Sequence, residues 1–293
     1  MDYQDALQIA AQQVLALKGH TIDVLAIKRP TEIQGAVELA KIVSKLSPII
    51  GNLLEYAIVG YLNTAHEWQP GCQWIRQDPG FPDTVLQGMS DPQPGIEIKT
   101  WFPLATEITA HFRDSQTAFK SNQTKVALLG WLPEYVIAGQ PKIIDVWIGD
   151  AIDVAKARDS HYHAPPHYVV LELEDTSKRA RNLQQTNCNG LKFQGNAAQL
   201  KKAHALVKSW GKAGLTYKTD RKYQARLREL TGRFPYRLDT NFAKMDRIAL
   251  PSLEDFKLHV MATTYLDRTI NQWLDALARV DLDALATLVE HSS

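Results

Sequence analysis

Apolar positions recur with a helical period in the first part of the chain. Before residue 72 they predict three helices, over 2–18, over 31–46 and after Ser47-Pro48. Gly19 is expected to end the first helix, and Thr31 is placed to cap the second. The proline is expected to separate the second helix from the third, because proline removes a backbone donor. The first 66 residues are therefore predicted to be helical.

The pattern changes between residues 72 and 173 to short apolar runs bounded by Pro, Gly and Asp clusters such as SDPQPG. These runs are typical of β-strands. They are TVLQ at 84–87, GIEIKTWF at 95–102, KVALLGWL at 125–132, IIDVWIG at 143–149 and HYVVLEL at 167–173. One polar stretch between them, SQTAFKSNQT, is a candidate helix.

Helical patterns return after residue 195. Three segments carry them: NAAQLKKAHALVKSW, RKYQARLREL and the amphipathic tail LEDFKLHVMATTYLDRTINQWLDALARV. The order of elements predicts an α/β protein with a central mixed β-sheet flanked by helices. We expect residues 1–195 to hold this core and 196–293 to form a helical C-terminal subdomain, with one continuous domain as the alternative.

Composition places the chain among ordinary globular proteins, with 45% apolar and 22% charged residues. The first residues carry acids where a signal peptide needs lysine or arginine, and no stretch reaches the roughly 18 uninterrupted apolar residues of a membrane helix. We therefore expect a cytoplasmic protein with no membrane partner. Cys72 and Cys188 lack zinc-ligand spacing and are expected to be reduced thiols.

Charge is distributed unevenly along the chain. The net charge is +1, yet residues 178–237 contain fifteen lysines and arginines and only two acids, Asp220 and Glu229. Such a segment favours contact with a polyanion, and nucleic acid is the expected partner. The alternative is a solvated basic helical face, although such faces usually interleave acids at helical spacing.

Two runs in the strand-rich region carry the candidate chemistry. In GIEIKTWF, strand alternation places Glu97 and Lys99 on one face and Ile96 and Ile98 on the other. Asp83 lies fourteen residues before Glu97 and directly follows a proline. If the two runs pair through the SDPQPG turn, Asp83 and Glu97 converge on one point.

Two converging carboxylates are suited to Mg²⁺, which prefers oxygen ligands and keeps several waters. A magnesium ion at Asp83 and Glu97, with Lys99 beside the attacking water, provides what phosphodiester hydrolysis requires. Glu55 lies on an apolar stripe of its predicted helix. Two interpretations of Glu55 remain open: an ion pair with an arginine such as Arg76, or a supporting or second-metal role.

The arrangement Pro82-Asp83 followed by Glu97-Ile98-Lys99 resembles the PD-(D/E)xK nuclease superfamily. The upstream run Gly51-Asn52-Leu53-Leu54-Glu55 looks like the glutamate-bearing helix of families within it, so the resemblance covers roughly residues 51–150.

Length and helical additions look most like a type II restriction endonuclease. The resemblance implies a restriction-endonuclease-like core and Mg²⁺-dependent cutting of double-stranded DNA at a short specific site. It also implies a homodimer without an organic cofactor. Asp83, Glu97, Lys99 and Glu55 would be catalytic, and Asp83 and Glu97 would bind the metal.

Polar residues elsewhere are candidates for DNA contact. They are Lys120, Asn122 and Gln123 after the proposed active strand, and Lys178, Arg179 and Arg181 in a later polar segment. A solvated helix face or a plain surface loop is the alternative for each group. The cluster His161, His163 and His167 is not expected to bind zinc, because no nearby acid or cysteine completes a ligand set.

Two other functions stay open. One is a DNA-repair or junction-resolving nuclease of the same superfamily, and the other is a nucleic-acid-binding protein without catalysis, in which the Glu97 and Lys99 face is an ion-paired surface. The chain has no phosphate-binding loop, dinucleotide fingerprint or serine-hydrolase elbow.

Overall fold

The computed structural model of the protein describes residues 1–78, 80–89, 92–105, 107–118, 122–160, 168–172, 188–211, 220–239 and 243–289. The helices in these ranges are α1 (Tyr3–Ala16), α2 (Ile33–Thr64), α3 (Ala151–Ser160), α4 (Ala197–Ser209), α5 (Arg221–Arg233), α6 (Pro251–Ala262), α7 (Ile270–Arg279) and α8 (Leu282–Ala286). The strands are β1 (Gln73–Arg76), β2 (Thr84–Gln87), β3 (Gly95–Trp101), β4 (Thr124–Pro133), β5 (Pro141–Asp150), β6 (Tyr168–Glu172), β7 (Cys188–Phe193), β8 (Tyr236–Asp239), β9 (Thr264–Tyr265) and β10 (Arg268–Thr269).

The chain divides into two compact units. The first comprises Met1–Ala110, Asn122–Asp150 and Pro251–Ser293, and the second comprises His111–Ser121 and Ala151–Leu250. The helices that the sequence placed together in one C-terminal subdomain are shared between them: α4 and α5 belong to the second unit, and α6 to α8 belong to the first.

A five-stranded mixed sheet in the order β1-β2-β3-β4-β5 forms the centre of the first unit. Strands β3 and β4 run parallel, and the other neighbouring pairs are antiparallel. Helix α2 approaches β3 at Thr100, whereas Phe256 of α6 packs on Trp101. Because successive residues of a strand point to opposite faces, the two helices cover opposite faces of the sheet. The predicted α/β class with a flanked mixed sheet is confirmed.

The strands predicted from the sequence are present, with ends that differ by two residues or fewer. Strand β4 is buried along almost its whole length, which fits a continuous apolar run in the interior of a sheet. The sequence interpretation missed β1, β7 and β8, as well as the two-residue strands β9 and β10.

The predicted break at Ser47-Pro48 was wrong, because α2 is one helix of 32 residues with Pro48 inside it. Proline has no N–H for the carbonyl of Ser44, but the Ser47 hydroxyl donates to that oxygen at 2.9 Å. Nine residues along the helix are buried, and their packing holds it together across the proline. By length and composition alone, α2 is long and apolar enough to cross a membrane. Core helices of soluble proteins meet the same two criteria.

The amphipathic tail was predicted as one long helix and is instead two. Helix α6 ends at Ala262, and a tight β9–β10 hairpin follows with Leu266 and Asp267 at φ of 48° and 66°. Thr269 then starts α7 by accepting a hydrogen bond from the Gln272 N–H at 3.2 Å. In the candidate helix SQTAFKSNQT, the described residues form only a short 3₁₀ turn at Gln116–Ala118.

The second unit contains a three-stranded sheet in the order β6-β7-β8 and its own apolar core. Strands β6 and β7 are parallel, and β7 and β8 are antiparallel. The buried residues of this core come mainly from α4 and α5; they are Ala203, Val207, Tyr223, Leu227, Leu230, Phe234, Tyr236 and Ala243.

We expect Gly51→Ala to lower the free energy of unfolding by about 1–3 kcal/mol, because overpacking a close contact strains its neighbours. A Cβ at Gly51 would lie 2.5 Å from Thr100 Oγ1, where α2 crosses β3. Urea and thermal unfolding of the purified protein measure the change, and adding Thr100→Ala should recover part of it.

Gly60→Ala in the same helix is the matched control. No atom lies within 4 Å of a Cβ built there, so alanine should stabilise the helix by about 0.5–1 kcal/mol. Equal effects of the two alanines would show that Gly51 does not serve close packing.

Candidate active site

The antiparallel pairing of β2 with β3 brings the two predicted runs together. Thr84 lies opposite Ile96 and Val85 lies opposite Gly95, so Asp83, just before β2, comes beside Glu97. The Asp83 N–H donates to Glu97 Oε2 at 3.0 Å. The Ile98 N–H donates to Asp83 Oδ2 at 2.7 Å. Each carboxylate is thus held by a backbone donor next to the other, and the predicted convergence of Asp83 and Glu97 is present.

Close packing between Pro82 and Gly95 fixes this pair of strands. A Cβ at Gly95 would collide with Pro82 Cγ and would also lie 3.2 Å from the Thr84 carbonyl oxygen. Only glycine leaves room for the proline ring at this point. The Pro82-Asp83 segment and the strand that carries Glu97 are therefore fitted to each other by shape as well as by hydrogen bonds.

Lys99 joins the two carboxylates. Its ammonium forms an ion pair with Glu97 Oε1 and lies 3.4 Å from Asp83 Oδ2. The three side chains are mostly buried, with 16% of Lys99, 17% of Asp83 and 8% of Glu97 exposed. Burial alone disfavours the charged form of Lys99, but the charges of Glu97 and Asp83 outweigh it and raise the Lys99 pKa. Lys99 therefore keeps its proton at neutral pH.

Glu55 belongs to the same electrostatic neighbourhood. It projects from α2, and Arg76 Nε at the end of β1 lies 2.5 Å from its Oε1. Burial raises the Glu55 pKa, the hydrogen bond from Arg76 opposes that shift, and the charge of Asp83 adds to it. Arg76 also pairs with the exposed Asp78 at 3.2 Å. The ion pair between Glu55 and Arg76 that the sequence suggested is present.

The chemistry of these groups fits a hard divalent cation. Asp83, Glu97 and Glu55 carry three negative charges when ionised, whereas Lys99 and Arg76 carry two positive ones. In the part of the chain that the structure describes, no three His, Cys, Asp or Glu side chains group closely enough to hold a metal by themselves. Magnesium needs fewer protein ligands, because it keeps several of its waters. Asp83 and Glu97 are the residues that would hold it.

The predicted DNA contacts fall into two groups. Asn122 and Gln123 directly precede β4, and the Gln123 carbonyl accepts a hydrogen bond from the Gly95 N–H at 3.0 Å. Gln123 therefore lies beside the start of the strand that carries Glu97. The other predicted contacts, Lys120, Lys178, Arg179 and Arg181, lie outside the described residues, as do His161, His163 and His167.

Sequence reasoning missed the backbone donors of the site and the close approach of Gly51 to Thr100. The N–H groups of Asp83 and Ile98 have no side-chain signature, so no residue type could have revealed them. A glycine one helical turn before a glutamate on an apolar stripe was the only available sign that α2 comes close to the sheet.

Comparisons with protein-family models, with the sequences of curated proteins and with solved structures give no significant match.

We expect Arg76→Gln to destabilise the fold by about 1–3 kcal/mol near neutral pH, because it leaves the buried Glu55 carboxylate without its cation. The loss should shrink as the pH falls towards 4.5, the ordinary pKa of Glu55. A carboxyl whose pKa is raised in the fold binds its proton more tightly when the protein is folded. The contribution of Glu55 to the free energy of unfolding therefore falls as the pH rises from 4.5 through its raised pKa.

Urea unfolding at several pH values tests this expectation. Arg76→Lys keeps the positive charge and should retain most of the stability, and the double variant Glu55→Gln/Arg76→Gln should lose the pH dependence. A loss for Arg76→Gln that is the same at every pH would contradict this account of the pair.

Proposed function

We propose that this chain is a magnesium-dependent endonuclease that hydrolyses phosphodiester bonds of double-stranded DNA, acting as a type II restriction enzyme at a short specific site. The observation that carries the proposal is the buried arrangement of Asp83, Glu97 and Lys99 on one hairpin. Similarity to the PD-(D/E)xK pattern supports it through the same residues. The restriction-endonuclease-like core and a homodimer that recognises the short site are part of the proposal.

Burial favours a catalytic role over a plain polar surface. A hairpin with one solvated face would leave its charges in water, where ion pairs contribute little. Here Glu97 is 8% exposed and Lys99 is 16% exposed. Burying charged groups is costly, and functional sites are where such costs are commonly found. The geometry therefore supports an enzyme more strongly than a non-catalytic binder.

Each residue has a chemical part in the proposed reaction. Asp83 and Glu97 would hold the cation. A bound magnesium ion would polarise a phosphate of the DNA and make the attacking water more acidic. Lys99 carries its positive charge beside both carboxylates, so it would donate a hydrogen bond to the attacking water or to the developing negative charge.

Glu55 has a supporting part. Its carboxylate forms an ion pair with Arg76. The charge of Asp83 raises the Glu55 pKa, and the charge of Lys99 lowers it. We infer that the Glu55–Arg76 pair sets the field at the edge of the metal site. A direct role for Glu55 in holding a second cation would require this ion pair to open.

We expect Asp83→Asn and Glu97→Gln each to lower Mg²⁺-dependent cleavage more than about 100-fold, because each removes a metal ligand; that loss corresponds to about 2.7 kcal/mol in the barrier. DNA binding should remain largely intact. Single-turnover cleavage and fluorescence anisotropy measure the two properties separately.

Asp150→Asn is the matched control. Asp150 pairs with Lys125 at 2.7 Å across neighbouring strands of the same sheet and is also partly buried. Its loss should cost stability but leave the rate within a few fold of wild type. Wild-type cleavage by Asp83→Asn would disprove the proposed centre.

Incubation with unmethylated phage DNA tests the substrate class. We expect discrete fragments with Mg²⁺ and none with EDTA, and sequencing of the fragment ends should show one shared site. Ends without a common sequence would favour a repair or junction-resolving nuclease. Uncut DNA under all metal conditions would favour a non-catalytic nucleic-acid-binding protein.

A further inference from the structure

The solvent-facing side of α4 is basic. Lys201, His204 and Lys208 follow one another at helical spacing of three and four residues, and Lys202 lies beside them. All four side chains are exposed. The helix contains no acid, and within the described part of the chain none of its three lysines forms an ion pair. Lys201 and Lys208 are about 10 Å apart along the helix axis.

Helix α5 continues this charge pattern. It has five basic residues and one acid, Glu229, which pairs with Arg233 at 3.2 Å. Arg221 and Lys222 occupy its first turn, where the helix dipole favours acids instead. Asp220, the N-cap residue, accepts a hydrogen bond from the Tyr223 N–H at 2.9 Å and is the carboxylate at this end of the helix.

The opposite sides of both helices are already occupied. Ala203 and Val207 of α4 and Tyr223, Leu227 and Leu230 of α5 lie in the apolar core of the second unit. The large apolar side chains that are exposed among the described residues all lie outside these two helices. The packed core therefore supports the basic side chains, and no large apolar side chain of these two helices is fully exposed beside them.

We propose that the exposed face of α4 forms a binding surface for the phosphate backbone of double-stranded nucleic acid. We define this basic surface by Lys201, Lys202 and Lys208. Duplex DNA carries one negative charge per roughly 1.7 Å of its axis, so a 10 Å row of lysines meets several phosphates. The surface fixes affinity and orientation and does not read sequence.

The observations favour nucleic acid over an anionic membrane. A helix that binds in a membrane interface inserts large apolar residues while its basic residues contact the headgroups. The apolar residues of α4 and α5 are used in the core instead. A basic face without exposed large apolar side chains matches a polyanion in water.

This inference rests on the proposed function only for the choice of DNA, and its test does not require cleavage. Binding of a labelled duplex of about 25 base pairs is followed by fluorescence anisotropy in EDTA, over about 50–300 mM KCl. Each phosphate contact contributes about 0.9 to the slope of log affinity against log salt. The variant Lys201→Gln/Lys202→Gln/Lys208→Gln should lower the magnitude of that slope by about 2–3. It should also raise Kd at about 100 mM KCl by about 10-fold or more.

The matched control removes the same charge elsewhere. Lys28, Lys41 and Lys45 are exposed in the first unit, and Lys28→Gln/Lys41→Gln/Lys45→Gln should leave the slope near the wild-type value. Lys201→Arg/Lys202→Arg/Lys208→Arg keeps the charge and should keep the affinity. Circular dichroism verifies that each variant is folded.

Three outcomes would overturn the inference. They are an unchanged slope in the α4 variant, an equal loss in the control variant, or lysine-dependent binding to phosphatidylcholine–phosphatidylserine vesicles without binding to the duplex. The proposed nuclease function is tested separately: cleavage at the wild-type rate by Asp83→Asn would disprove it. A chain that binds DNA through α4 and never cuts it keeps this inference, and a chain that cuts DNA but is indifferent to the α4 lysines loses it.

Discussion

The buried ammonium of Lys99 between the carboxylates of Glu97 and Asp83 constrains the sheet around it. A charge removed from water is tolerated only when its partners stand at short distance, and here both do. Moving β3 by one residue against β2 would turn Glu97 and Lys99 to the opposite face and separate them from Asp83. Pro82 leaves no room for a side chain at Gly95. This close contact helps to hold β2 and β3 in the required alignment.

The same demand for pairing extends from the sheet to α2. Gly51 lets the helix axis come close to Thr100, and one turn later Glu55 reaches the edge of the sheet, where Arg76 meets it. A second link comes from Asn63, which accepts from the Trp74 N–H at 2.8 Å and donates to the Trp74 carbonyl at 2.9 Å. An α2 side chain thereby satisfies the backbone of the edge strand β1. The position of Arg76 depends on this anchoring as much as on its own strand.

Much of the first unit could be predicted because its strands have a strong two-residue or fully apolar pattern. The convergence of Asp83 and Glu97 could be predicted because a short turn joins the two strands. Strand β1 was missed because it has only four residues, and no local pattern reports the contact of its Trp74 backbone with Asn63, eleven residues away. Pro48 was misread because local propensity predicts a break, whereas the Ser47 hydroxyl and nine buried positions maintain the helix. For β1 and for Pro48, packing and contacts with other elements outweighed the local pattern.

The candidate centre and the basic residues 178–237 carry opposite excess charge and lie in different units. With ionised acids, the candidate centre has more carboxylates than cations, so its excess negative charge is unfavourable for the phosphate backbone of DNA, which is itself a polyanion. In the proposed nuclease, affinity for DNA must therefore come from other parts of the chain. The excess of lysine and arginine in residues 178–237 falls in the second unit, which has its own apolar core. Substitutions in one unit are then expected to change chemistry with little effect on affinity, and substitutions in the other to do the reverse.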